Sequence, residues 1–281
     1  MGFAIANGAR VYYEIHGEGP AVVLAHGAGG HHAIWWQQIP FFRDRYSLVA
    51  LDFPGFGNSD SGRSEYDTHE FPEAVVAVLD AAGIERAALV GQSLGGPPSL
   101  SVAVRHPERV AGVILAHSLG GINNDEIMAM VRADRAEAEK LLVIDRLMSK
   151  RIQESEPEKV FLFQQMGTFN AARVPNLRNQ WVGATTLGQV ESAIAAGVRV
   201  CFIAGEDDAV LRPATYQRVA ELLPKARVDM VPGAPHSMYW EAPGLFNAAL
   251  ERALETVYPG SATAAPAAPA PPAELPSPAR G

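Results

Sequence analysis

Val90-Gly91-Gln92-Ser93-Leu94-Gly95-Gly96 is the stretch on which the reading of this chain turns. The apolar run Ala87-Ala88-Leu89-Val90 before it predicts a buried strand, and Ser99 to Arg105 after it predicts a helix. Gly91 to Gly95 is therefore G-x-S-x-G at a strand-to-helix turn. Such a turn is sharp and holds its middle residue in a strained backbone conformation. Glycines two before and two after the serine remove side chains that would collide across it. The Ser93 hydroxyl is thereby held out at the carboxyl end of a sheet. The helix that follows aims its unpaired N–H groups and partial positive charge at any oxyanion formed there.

Working outward, the strands on either side alternate with helices. Val11 to Ile15 alternates and is rich in β-formers, whereas Ala21 to Ala25, Ser47 to Leu51 and Val110 to Ala116 are continuous apolar runs. Continuous runs are expected of strands covered on both faces. Helices are predicted around Trp35 to Phe42 and from Phe71 to Ala82, where Gly83 ends the second. This alternation predicts an α/β fold, a mostly parallel sheet with helices on both faces. The rhythm stops after Ser118. From Leu119 to Val190 no clear strand is read, and the composition is helical, with Met128, Leu147, Phe161, Phe163, Phe169 and Trp181 among its apolar residues. Alternation resumes with the strand Val198 to Ala204, a helix from Pro213 to Leu223, the strand Ala226 to Val231 and a last helix from Pro243 to Val257. The expected organisation is a core of residues 1–118 and 191–258, an inserted helical cap over 119–190, and a disordered tail over 259–281. Insertions at the carboxyl edge of such sheets lie where ligands bind. In the tail, 15 of 23 residues are proline or alanine, a composition that builds no core.

Composition narrows the partners. A net charge of -8 repels phosphate backbones and anionic lipid, so neither nucleic acid nor a membrane is expected as a partner. No run approaches membrane-spanning length, and the first residues lack a basic and apolar leader, so a cytoplasmic protein is expected. The single cysteine, Cys201, falls in an apolar strand and reads as a buried core residue.

A serine hydroxyl needs a base, and the base an orienting acid. Among the eight histidines, His236 stands out. It lies in the loop Pro232 to Ser237 between the last strand and the last helix, and that loop opens on the same sheet edge as Ser93. Asp207 and Asp208, in the loop after Val198 to Ala204, are the acid candidates at that edge, and Asp52 is a rival from an earlier strand end. Asp52 reads better as the group that orders the Gly55 to Gly57 turn. His26-Gly27-Ala28-Gly29-Gly30 also follows a buried strand, and its glycines let backbone approach a reacting carbonyl. The N–H groups of Ala28 and Leu94 are the expected oxyanion donors. The glycines fit neither a P-loop nor a dinucleotide fingerprint. His26, His31 and His32 have no carboxylate or cysteine close by in sequence, so no metal is expected.

Taken together, these motifs resemble the α/β-hydrolase superfamily in its capped, esterase-like branch, over roughly Val11 to Val257. The resemblance rests on His26 to Gly30, Asp52 to Ser59, Gly91 to Gly96, His106 to Val110, Gly205 to Asp208 and Pro235-His236. The family order of nucleophile, acid and histidine implies Ser93, Asp208 and His236. The family's G-x-x-D spacing is what favours Asp208 over Asp207. Two features depart from the commoner patterns. Pro97 and Pro98 follow the elbow directly, and Pro98 is expected to distort the helix start. The nucleophile is serine, where haloalkane dehalogenases and epoxide hydrolases of the superfamily use aspartate, which argues against both reactions.

The leading expectation is a serine hydrolase of carboxylic esters or lactones that works without a cofactor on a small molecule with an apolar portion. Two alternatives stand beside it. One is a carbon–carbon bond hydrolase of vinylogous diketones with the same triad. The other is a non-catalytic receptor on a hydrolase scaffold.

Overall fold

The structure is a computed structural model that describes residues 1–60, 68–170 and 184–261. Trp181 and the tail beyond residue 261 lie outside the described residues. In chain order the strands are β1 (Gly2–Ala6), β2 (Ala9–His16), β3 (Ala21–Ala25), β4 (Ser47–Leu51), β5 (Ala87–Gln92), β6 (Val110–Ala116), β7 (Ile122–Asn123), β8 (Thr185–Thr186), β9 (Arg199–Gly205) and β10 (Arg227–Val231). The helices are α1 (Ile39–Phe42), α2 (Phe71–Ala81), α3 (Gly96–Arg105), α4 (Asp125–Ala138), α5 (Val143–Leu147), α6 (Lys150–Ser155), α7 (Pro157–Met166), α8 (Leu187–Ala195), α9 (Pro213–Leu222), α10 (Met238–Glu241) and α11 (Pro243–Val257).

Eight strands form one sheet in the order β1-β2-β4-β3-β5-β6-β9-β10. The six strands from β4 to β10 run parallel, as the alternation of strands and helices predicts. β1 and β2 are antiparallel additions at one edge. Residues of β5 alternate between two cores: Ala87 and Leu89 face one, Ala88 and Val90 the other. The first core packs α2, α3, α8 and α9 on one sheet face, and the second packs α1 and α11 on the other. Cys201 is buried in the second core, and burial pushes its thiol up to about 11, as a packing role requires.

The structure corrects the sequence reading in several places. β1 was not expected, and it joins β2 through Asn7 and Gly8, both at positive φ (49° and 82°). That is the Asn-Gly hairpin turn whose twist matches the strands. The helix expected around Trp35 to Phe42 is a 3₁₀ turn over His32–Trp35 followed by α1. Between Leu119 and Val190, β7 and β8 pair in a short parallel ladder. Pro98 does not break the elbow helix: both prolines are buried in the first turn of α3, where their missing N–H groups have no intrahelical acceptor to lose.

Candidate active site

Ser93 sits at the carboxyl end of β5 with φ at 47°, a left-handed conformation that costs a side-chain-bearing residue about 1–3 kcal/mol. The flanking glycines allow it by removing bulk. A Cβ on Gly91 would run into the Gly95 carbonyl, and one on Gly95 into the Ala25 carbonyl. Ser99 Oγ donates to the Gly95 carbonyl at 2.7 Å and ties the first turn of α3 to the elbow.

The loops after β9 and β10 meet this elbow. His236 Nε2 lies 3.1 Å from Ser93 Oγ. Its Nδ1 lies 3.0 and 2.9 Å from the two oxygens of Asp208. Asp208 and His236 are both buried, whereas Asp207 is exposed. Asp208 Oδ1 also accepts from the amides of Val210 and Leu211, at 2.8 and 3.1 Å. Burial alone would raise its carboxyl pKa. The charge of His236 and the hydrogen bonds from His117 and His236 outweigh burial and hold the carboxyl well below the usual range.

His117 is the residue that sequence reading passed over. It follows β6, is fully buried at φ 50°, and its Nδ1 donates to Asp208 Oδ2 at 3.0 Å. Its ring meets that of His236 edge-on, with centroids 5.6 Å apart. Burial lowers its pKa despite the adjacent carboxylate, and a proton on Nδ1 is what serves Asp208. Its Nε2 has no hydrogen-bond partner among the described residues. A signal was present: Ala116-His117-Ser118 places polar residues directly after a buried strand, at the edge that carries Ser93.

The loop after β3 closes against the elbow. A Cβ on Gly27 would strike the Gln92 amide and lie 3.3 Å from the Ser93 Cβ, so this backbone approaches as closely as glycine permits. Ala28 and Leu94 line the same cavity as Ser93, and Leu94 is in the 3₁₀ turn Ser93–Gly95. His26 braces the loop from beneath: Nδ1 donates to the Gly27 carbonyl at 2.8 Å and Nε2 accepts from the Phe53 amide at 3.1 Å. Accepting at Nε2 requires a neutral ring, and burial pushes its pKa down to about 4.

Asp52, the rival acid, is occupied elsewhere. Its carboxylate accepts from His32 Nδ1 at 2.9 Å and from the Asn58 amide at 2.8 Å. It therefore orders the turn after β4, as its spacing predicts. Asp52, distant in sequence, lies close to two of the histidines in space. Donor atoms of His31, His32 and Asp52 lie within 4.8 Å of one another, a proximity that their separation in sequence hides.

A cavity of about 530 Å³ opens over Ser93 and His236. Its far wall comes from the inserted segment: Leu119, Ile122, Met128, Val131, Val143, Leu147 and Phe163. Of the other methionines and phenylalanines in this stretch, Met148 and Met166 pack in the second core, and Phe161 and Phe169 are exposed to solvent.

A family model described as the alpha/beta hydrolase fold matches residues 20–142. A putative carbamate hydrolase, RutD, of Caulobacter sp. (strain K31) is 28% identical over 263 residues, covering 85% of this chain and 94% of its own. Among solved structures, a carboxylesterase of Nitrososphaera gargenis superposes with a TM-score of 0.73 at 20% identity, covering 91% of this chain and 98% of that one. The enol-lactonase of Burkholderia xenovorans LB400 superposes with a TM-score of 0.73 at 22% identity, covering 90% and 99%. The fold of the chain is that of an α/β-hydrolase. No helix among the described residues is long and apolar enough to cross a membrane.

Proposed function

We propose that the chain is a serine hydrolase of carboxylic esters or lactones, with Ser93 as nucleophile, His236 as base and Asp208 as its orienting acid. The observation that carries this reading is the unbroken relay from Ser93 Oγ to His236 Nε2 at 3.1 Å and from His236 Nδ1 to Asp208 at 2.9 Å. His236 takes the Ser93 proton as Oγ attacks the carbonyl carbon. Asp208 favours the imidazolium that forms. The N–H groups of Ala28 and Leu94 receive the oxyanion, a donation worth about 3–4 kcal/mol per group in comparable sites. As the tetrahedral species collapses, His236 returns the proton to the leaving alkoxide, and Ser93 is left acylated. A water then gives a proton to His236 and attacks the acyl carbon; as the acyl–Oγ bond breaks, His236 returns that proton to Ser93 Oγ and the acid is released. Neither acylation nor deacylation calls for a cofactor.

The inserted segment from 119 to 190 is the cap in this reading, and residues 1–118 and 191–258 are the core that holds the three catalytic groups. The apolar lining suits the hydrocarbon part of a small substrate. The test is turnover of simple acyl esters and lactones by the intact protein and by Ser93→Ala. Turnover that disappears in Ser93→Ala supports the reading. Turnover that persists in Ser93→Ala, or its absence across both substrate classes, rejects it.

A further inference from the structure

The charge on the cavity wall points to the kind of substrate. α5 sits directly on the histidine loop, because the amide of Ser237 donates to the Leu147 carbonyl at 2.9 Å. Val143, Arg146 and Leu147 follow i, i+3 and i+4 spacing and so share one helix face. All three line the cavity that holds Ser93. Arg146 is half-buried, and its Nε is shut off from solvent without a hydrogen-bond partner among the described residues. The cations that follow it are paired: Lys150 with Asp145 at 2.5 Å and Arg151 with Glu241 at 3.5 Å. The other formally charged residues on the wall are Arg135 and Glu139, so arginine outnumbers carboxylate there. A buried N–H without an acceptor is costly, and a guanidinium between apolar neighbours gains most from an anion that arrives with its ligand.

We propose that Arg146 is the subsite for a carboxylate carried by the substrate, so that the preferred esters or lactones bear a free carboxylate away from the bond that is cleaved. The proposal rests on the reading of Ser93 as nucleophile and adds the substrate class to it. The planar guanidinium fork meets a carboxylate edge with two parallel N–H···O bonds, whereas an ammonium meets it as a point charge. The apolar lining holds the chain between the carboxylate and the scissile carbonyl. Arg146 thus fixes which end of the substrate enters the Ser93 pocket.

The experiment compares monoethyl esters of straight-chain dicarboxylic acids with ethyl esters of the matching monocarboxylic acids over a range of chain lengths. It reads the ratio of kcat/KM between the charged and neutral member of each pair. In the intact protein the ratio favours the charged member at one or more lengths. Arg146→Gln lowers that ratio by about 10- to 100-fold, mostly through KM, as expected for loss of a charge-assisted hydrogen bond. Arg146→Lys falls between the two, and Arg132→Gln, on an exposed residue outside the cavity lining, leaves the ratio as it was. A ratio that Arg146→Gln does not change overturns the proposal. A second readout needs no turnover: calorimetric binding of the monoethyl esters to Ser93→Ala, with and without Arg146→Gln. Binding that weakens with the arginine removed upholds the carboxylate subsite even if no ester is hydrolysed, an outcome that would reject only the hydrolase reading. Binding that is the same in both overturns the subsite whatever the turnover shows.

Discussion

Replacing Asp208 with asparagine tests the relay at its most constrained point. The carboxylate accepts from four donors: His236 Nδ1, His117 Nδ1 and the amides of Val210 and Leu211. Asparagine has one acceptor oxygen and one donor nitrogen. If its oxygen keeps the two amides, its NH₂ group faces both histidine Nδ1 atoms. His236 must then adopt the Nε2–H tautomer, which donates to Ser93 instead of receiving its proton. In serine proteases the corresponding loss is about 10⁴-fold in turnover, or roughly 5.4 kcal/mol. Stability should fall by about 1–3 kcal/mol as charge-assisted bonds become neutral ones. The depressed carboxyl also links stability to acid. Its contribution is present above the unfolded carboxyl value of about 3.9 and is lost as pH falls through the lower folded value. The variant lacks that contribution, so its stability should decline less steeply in acid. The assay is turnover on one ester for Asp208→Asn and Asp207→Asn, with denaturant unfolding of both across pH. If Asp208→Asn keeps more than about a tenth of the parental rate, the tautomer argument fails. If Asp207→Asn is the crippled variant, the acid has been assigned to the wrong residue.

Other outcomes follow from the same geometry. His117→Leu removes one of the four donors, so stability should fall by about 1–3 kcal/mol and turnover by roughly 10-fold. A turnover loss as deep as that of Asp208→Asn would mean His117 itself handles the proton. Gly95→Ala drives a Cβ into the Ala25 carbonyl and should cost about 1–3 kcal/mol in denaturant unfolding together with most of the activity; a variant as stable and active as the parent would contradict the elbow geometry. His26 has a folded pKa of about 4 against an unfolded value of about 6.5. The unfolded chain therefore binds more protons in that window, and His26 should make stability fall by roughly 3 kcal/mol as pH drops from 6.5 to 4. His26→Gln, measured by unfolding at each pH, should start lower and show a shallower slope; an unchanged slope would exclude His26 as the source.

The sequence carried the parts of this molecule that depend on local pattern. Continuous apolar runs marked the parallel strands because both sheet faces are covered, and glycine spacing marked the elbow because collisions across a turn are local. What sequence reading missed depends on contacts between distant residues. His117 acquires a role only because β6 ends beside the loop after β9. Asp52 reaches His31 and His32 only because β4 runs alongside β3. The β1–β2 hairpin was signalled by Asn7-Gly8 but has a half-exposed strand, with a weaker apolar pattern than the buried ones. The choice of Asp208 over its neighbour came from family spacing. In the structure the Asp208 carboxylate is buried against His236 and that of Asp207 faces water.

The central claim is that Ser93 is a nucleophile activated by His236. It is tested most directly by treating the full chain with an aryl organophosphonate and mapping the product by peptide mass spectrometry. A single phosphonyl adduct is expected, on Ser93, formed together with loss of esterase turnover, and labelling is expected to be markedly slower in His236→Ala. An adduct on another serine with Ser93 unmodified, or complete labelling of Ser93 with turnover intact, would contradict it.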